Sequence, residues 1–149
     1  MAIIPSINQK KTDMKTIQVE ISWEDKNFCC GWGCEDFGAI MCTNKTFEGV
    51  KSDFEEALTT QIQDMVADGE TIPEWLVNNE YRINFTVSVS ALLRQAEQFT
   101  TMAVISRVTG INQKLLSHYA NAIKIPRKTQ RERIVNGLHA IGQQFLAIH

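Results

Sequence analysis

Thr109-Gly110-Ile111-Asn112-Gln113-Lys114-Leu115-Leu116-Ser117-His118-Tyr119 is the stretch whose reading decides how the second half of the chain folds. Gly110 predicts a tight left-handed turn, which glycine enters at little cost and other residues only with strain. Ile111 reads as an apolar plug between two helices. Asn112 suits an N-cap, because its side-chain oxygen can accept from the free N–H groups of a first helical turn. Leu115, Leu116 and Tyr119 recur at three- and four-residue spacings and predict one buried stripe. Gln113, Lys114, Ser117, His118 and Asn121 are left facing outwards. Side chains of these kinds hydrogen-bond base edges and phosphates in a major groove. The stretch reads as the turn and recognition helix of a helix-turn-helix, although an ordinary hairpin with a polar face shares the pattern.

The flanks extend this reading. Ser88 or Ser90 caps a preceding helix with Leu92, Leu93, Ala96 and Phe99 on one face. Thr100 or Thr101 caps the next, with Val104, Ile105 and Val108 apolar. Pro126 disfavours helix at the residue before it, so Lys124-Ile125-Pro126-Arg127 ends the recognition helix. A last helix is expected over 129–147. Its Ile134, Leu138, Ile141, Phe145 and Ile148 recur at spacings of 4, 3, 4 and 3, a heptad seam that suits packing within the domain or against a second copy.

The first half alternates with period two. Ile17, Val19, Ile21 and Trp23 predict a half-buried strand; Phe28, Cys30, Trp32 and Cys34 a second; residues 39–43 a third. The short connections Glu24-Asp25-Lys26-Asn27 and Glu35-Asp36-Phe37-Gly38 make these an antiparallel meander. Thr46 caps a helix of about twenty residues, whose apolar Phe47, Val50, Phe54, Ala57, Leu58 and Met65 form its stripe. Gly69 ends it. Residues 72–76 read as an irregular apolar link. Tyr81, Ile83, Phe85 and Val87 predict a fourth strand. The class is α+β: β-β-β-α-β over 15–87, then an all-α part over 88–149, with 1–14 as a tail.

Charge divides along the same line. Residues 1–87 hold seven Lys/Arg against fifteen Asp/Glu, a net of −8; residues 88–149 hold eight against two, a net of +6. A basic half can approach polyphosphate, where counterion release drives binding. An acidic half is repelled by nucleic acid and attracts a basic partner. The chain has no run of about 18 apolar residues, the length a membrane span needs, and no signal-peptide pattern at its start. Cytoplasmic location and no membrane partner are therefore expected. Cys29, Cys30, Cys34 and Cys42 lack paired C-x₂-C spacing and a nearby His, so no metal and no cofactor are expected. Glu20 alone puts a carboxylate within the polar face of a strand, and Glu55, Glu56 and Asp64 suit a solvated helix face. Two-metal hydrolysis needs converging carboxylates, so no catalytic residues and no enzyme activity are expected.

With both halves laid out, the chain resembles the HicB family of antitoxins from type II toxin–antitoxin modules, over about residues 15–148. In the first half the resemblance rests on Ile17 to Trp23, Phe28 to Gly33, Thr46-Phe47-Glu48 and Gly69-Glu70-Thr71-Ile72-Pro73. It implies a partial ribonuclease-H-like domain that covers a small basic RNA-cleaving toxin, HicA. In the second half, Ser106-Arg107-Val108-Thr109-Gly110-Ile111-Asn112-Gln113-Lys114-Leu115-Leu116-Ser117, with Pro126, is similar to the lambda-repressor-like (Cro/CI, XRE) domain. That likeness implies five helices and a homodimer or higher homo-oligomer on a double-stranded operator. It also implies base contacts from Gln113, Lys114 and His118, and the outward-facing Ser117 is expected beside them. Asn112, Asn121, Arg107, Lys124, Arg127, Lys128 and Arg131 are expected to hold phosphates. Ser106, Ala122 and Met102 depart from the domain's usual Ala, Gly and Gln. Charge alone nominates Glu20, Glu24, Asp25, Glu35 and Asp36 for the toxin. The alternatives are a stand-alone XRE-type regulator whose first domain senses a ligand or dimerises, and an interaction module without DNA binding.

Overall fold

The computed structural model describes residues 13–149. Of the expected tail, 1–12 lie outside the described residues, and Asp13 and Met14 are exposed and outside any helix or strand. Four strands, β1 (Lys15–Glu24), β2 (Asn27–Cys34), β3 (Gly38–Asn44) and β4 (Tyr81–Val87), form one sheet in the order β3-β2-β1-β4. β1, β2 and β3 are the antiparallel meander. β4 lies parallel to β1, from Lys15↔Tyr81 to Ile21↔Val87. Helix α1 (Phe47–Ala67) forms most of the connection that a parallel return requires.

α1 begins where Thr46 accepts from Gly49 N–H, as its sequence predicts. It ends in a Schellman turn: Gly69 is left-handed at φ 73°, Gly69 N–H donates to Val66 O and Glu70 N–H to Met65 O. Val50, Phe54, Leu58 and Ile62 of α1 are buried against Ile17, Val19, Ile21, Phe28, Cys30 and Ile40. The other sheet face, with Gln18, Glu20, Met41 and Asn84, is open to solvent. The link after α1 is not wholly irregular, since Glu74–Val77 forms a single helical turn, α2, that buries Leu76.

Residues 88–149 hold four helices, not the five that the lambda-repressor likeness implies: α3 (Val89–Ala96), α4 (Met102–Thr109), α5 (Gln113–Ala120) and α6 (Lys128–Leu146). The stretch between α5 and α6 starts on left-handed Ala122 and runs to Pro126, and neither residue sustains a helix. Ser88 and Thr101 are the caps of α3 and α4. Phe99 lies past the end of α3 and is 72% exposed, so it does not continue the buried face. A second core joins Val89, Leu93, Ile105, Ile111, Leu116, Tyr119, Ala120 and Ile134. The seam of α6 is graded. Ile134 is buried, Leu138 and Ile141 are half-buried, Phe145 is exposed, and Ile148 lies beyond the helix.

α3 joins the two cores. Ser88 N–H donates to Ile21 O, Ala91 packs in the sheet core, and Val89 and Leu93 pack in the helical one. Ser90 Oγ, buried, donates to Ala120 O at 2.8 Å and fastens α3 to the end of α5.

Candidate nucleic-acid interface

The turn between α4 and α5 is over-determined by hydrogen bonds. Gly110 sits at φ 73° and its N–H donates to Ser106 O at 2.8 Å. Thr109 Oγ1 donates to Ile105 O at 2.7 Å and accepts from Ile111 N–H at 3.2 Å. Ser106 Oγ donates to Ile111 O at 2.6 Å, so the serine at this position locks the turn. Ile111 is 3% exposed and is the expected plug. Arg133 of α6 donates to Thr109 O at 2.9 Å, placing a cation at the carbonyl end of α4.

α5 starts with Asn112 accepting from Lys114 N–H at 2.7 Å. Leu116 and Tyr119 are buried, Leu115 is half-buried, and Gln113, Lys114 and Ser117 are exposed. Asn112 therefore commits its oxygen to the cap. His118 is half-buried, and its Nδ1 is closed off from solvent without a hydrogen-bond partner among the described residues. Of the four residues expected at bases, Gln113, Lys114 and Ser117 are the exposed ones, and Ser117 Oγ accepts from Asn121 Nδ2 at 3.4 Å.

The seven expected phosphate contacts do not form one array. Arg127 and Lys128 are exposed at the start of α6. Lys124 and Arg131 line a cleft between the two halves, opposite Glu20, Ser22 and Trp23 of β1 and beside Tyr119. Arg107 lies beside Val104, Val108, Gln144 and Phe145, away from that cleft. Asn121 is engaged: its Oδ1 accepts from Arg94, and its Nδ2 donates to Ser117 O at 3.0 Å. Arg94 also lies 5.5 Å from the Trp23 ring, so it ties α5 to the sheet. Sequence reasoning passed over Arg94 and Arg133, because their partners are 27 and 24 residues distant along the chain. Ala122 takes φ 57° in a Schellman turn, with Ala122 N–H on Tyr119 O and Ile123 N–H on His118 O. The glycine conformation survives without the glycine.

The five acidic residues nominated for the toxin also separate. Glu24 and Asp25 stand at the β1–β2 turn, and Glu35 and Asp36 at the β2–β3 turn, at opposite ends of β2. Eight residues of strand put roughly 25 Å between them. Glu20 faces the cleft.

An apolar groove of about 680 Å³ runs between the end of α3 and the far half of α6, lined by Leu92, Ala96, Phe99, Leu138, Ile141 and Phe145. Phe145 is 62% exposed. The cysteines belong to the sheet. Cys30 is buried, faces Cys42 across β2 and β3, and has its thiol pushed up to about 12 by desolvation first and by Cys42 second. Such a thiol is a weak nucleophile. No three His, Cys, Asp or Glu among the described residues are grouped to hold a metal, and no described helix is long and apolar enough to cross a membrane. Comparisons with protein-family models, curated proteins and solved structures return no match to this chain.

Proposed function

We propose that the chain is a HicB-like antitoxin and autorepressor. Residues 15–87 bind and neutralise a small basic HicA-like ribonuclease. Residues 88–149 form a lambda-repressor-like unit that binds the operator of its own operon as a homodimer. The chain works in the cytoplasm and performs no chemistry itself. The observation that carries the reading is the α4–Gly110–α5 unit, with its left-handed glycine, buried Ile111, capped α5 and exposed Gln113, Lys114 and Ser117. The parallel return of β4 beside β1 supports the ribonuclease-H-like part. The groove at Phe99 and Phe145 supports the dimer, since it is lined by apolar side chains and leaves Phe145 and Phe99 exposed.

Gln113 and Lys114 read bases, each good bidentate pair being worth about 1–3 kcal/mol of discrimination. Arg127 and Lys128 hold phosphates and confer salt dependence. The test is to look beside this gene for a reading frame that encodes a small basic protein and to co-express the two. The neighbour alone should arrest growth, and this chain should restore growth and co-purify with it. A harmless neighbour that does not co-purify removes the antitoxin part.

A second reading, a stand-alone XRE-type regulator with a sensing domain, rests on the cleft of about 300 Å³ between the halves, where Trp23 and Tyr119 meet Lys124 and Arg131. Its volume lies at the lower bound for small-molecule sites.

A further inference from the structure

β3 and β4 are the ends of the sheet, and among the described residues each pairs on one side only. A free edge is a row of backbone donors and acceptors that another strand can complete, and proteins commonly guard it with charge, proline or a bulge. β3 carries none of these guards. Gly38-Ala39-Ile40-Met41-Cys42-Thr43-Asn44 has no charged side chain and no proline, and its register with β2 runs unbroken from Cys34↔Gly38 to Phe28↔Asn44. Met41 is 77% exposed.

The two edges differ in what flanks them. α1 runs antiparallel along β3: Asn44 Nδ2 donates to Asp53 Oδ2 at 2.9 Å, and Gln61 Nε2 donates to Phe37 O at 3.0 Å. Between and beyond these ties, Asp53, Glu56, Thr60 and Asp64 form one stripe at three- and four-residue spacings, beside a shallow groove. Asp36 stands in the turn that leads into β3. The β4 edge carries Arg82 on the strand, and Lys51 lies 5.9 Å from its Phe85 ring.

We propose that the free edge of β3 takes an extended basic segment of the partner protein by strand addition. Backbone groups pair with β3, and alternate Lys or Arg side chains meet Asp53, Glu56 and Asp64. Main-chain bonds of this kind give affinity, and the flanking charge gives choice of partner. The assignment deepens the toxin-binding reading and rests on it for the identity of the partner.

The probe is an acetylated, amidated peptide of four Lys-Val repeats, with a control N-methylated at alternate residues so that it lacks the N–H groups a strand must supply. Backbone amide exchange is followed by NMR on the full chain at about 0.05 M salt, where exposed charges are weakly screened. The peptide should slow exchange within Gly38–Asn44, and the methylated control should not. Glu56→Lys/Asp64→Lys, both on the exposed side of α1, should weaken binding at least about fivefold, less as salt rises. Protection at Tyr81–Val87, or equal binding of the methylated control, overturns the proposal. The same exchange measurement on the complex with the basic neighbour separates the two claims. Capture with protection elsewhere refutes the β3 edge and leaves the toxin reading standing. Protection of β3 by the peptide without capture of any neighbour does the reverse.

Discussion

Gly137 packs α6 against Thr109 and Val108 of α4, and Gly137→Ala tests that packing in a way that helix propensity alone cannot mimic. In an open helix the change would stabilise by about 1 kcal/mol. Here Gly137 is buried, and a β-carbon built on it would sit 2.4 Å from Thr109 Cγ2. Thr109 cannot rotate away freely. Its hydroxyl holds Ile105 O at 2.7 Å and Ile111 N–H at 3.2 Å, and a new rotamer gives up both. Thr109 either stays, at an overpacking cost in the upper part of the range of about 1–3 kcal/mol, or turns away and gives up two hydrogen bonds at about 1 kcal/mol each. Set against the propensity gain, the net is a loss of about 1–2 kcal/mol, which lowers the melting temperature by roughly 3–6 °C. The assay is urea and thermal unfolding of a double-mutant cycle. Thr109→Ser keeps the hydroxyl and removes Cγ2, so Thr109→Ser/Gly137→Ala should recover the loss, with a coupling of about 1–2 kcal/mol. A Gly137→Ala protein stabilised by about 1 kcal/mol, with no coupling to Thr109, would refute the close approach.

Three further outcomes are expected. Ala122→Gly relieves a left-handed alanine at φ 57° and should raise stability by roughly 0.5–1 kcal/mol in calorimetry, whereas Ala122→Val should lower it. Burial raises the Cys30 thiol from 9.0 to about 12. Its contribution to stability is therefore complete below pH 9 and lost as pH rises towards 12, because the unfolded chain releases the proton first; urea midpoints should fall across that window, and the fall should be smaller in Cys30→Ala. Phe145→Glu places a charge in the groove with Phe99 and should shift light-scattering mass from dimer to monomer while leaving the circular dichroism of the fold intact; an unchanged mass would remove that face from the dimer.

Local rules account for what was legible in the sequence. Alternation located three of the four strands, because each buries one face against α1 or beside it, and the turn at Glu35-Asp36-Phe37-Gly38 located β3. Thr46, Ser88, Thr101 and Asn112 mark helix starts because a cap is a short-range hydrogen bond. Period two says nothing of strand direction, so the parallel pairing of β4 with β1 was not readable. Spacing also placed Phe99 on the face of α3, which stops three residues earlier. The split of the cations was hidden for the same reason. Lys124, Arg131 and Glu20 share a cleft only because Ser88 and Ser90 fasten α3 between the sheet and α5. Asn121 was expected to be free and is held by Arg94. The acidic stripe of α1 was legible as a solvated face, but its position along the edge of β3 was not.

The central claim is that α5 reads DNA. The direct measurement is selection of duplexes from a random pool by the intact chain, followed by fluorescence anisotropy of the selected and a scrambled duplex with the parent chain, Gln113→Ala and Arg127→Ala. The selected duplex should bind the parent at least about 1,000-fold more tightly than the scrambled one. Gln113→Ala should shrink that ratio by about tenfold or more, and Arg127→Ala should weaken both duplexes alike and flatten the salt slope. Failure of any sequence to be selected, or a ratio unmoved by Gln113→Ala, would contradict it.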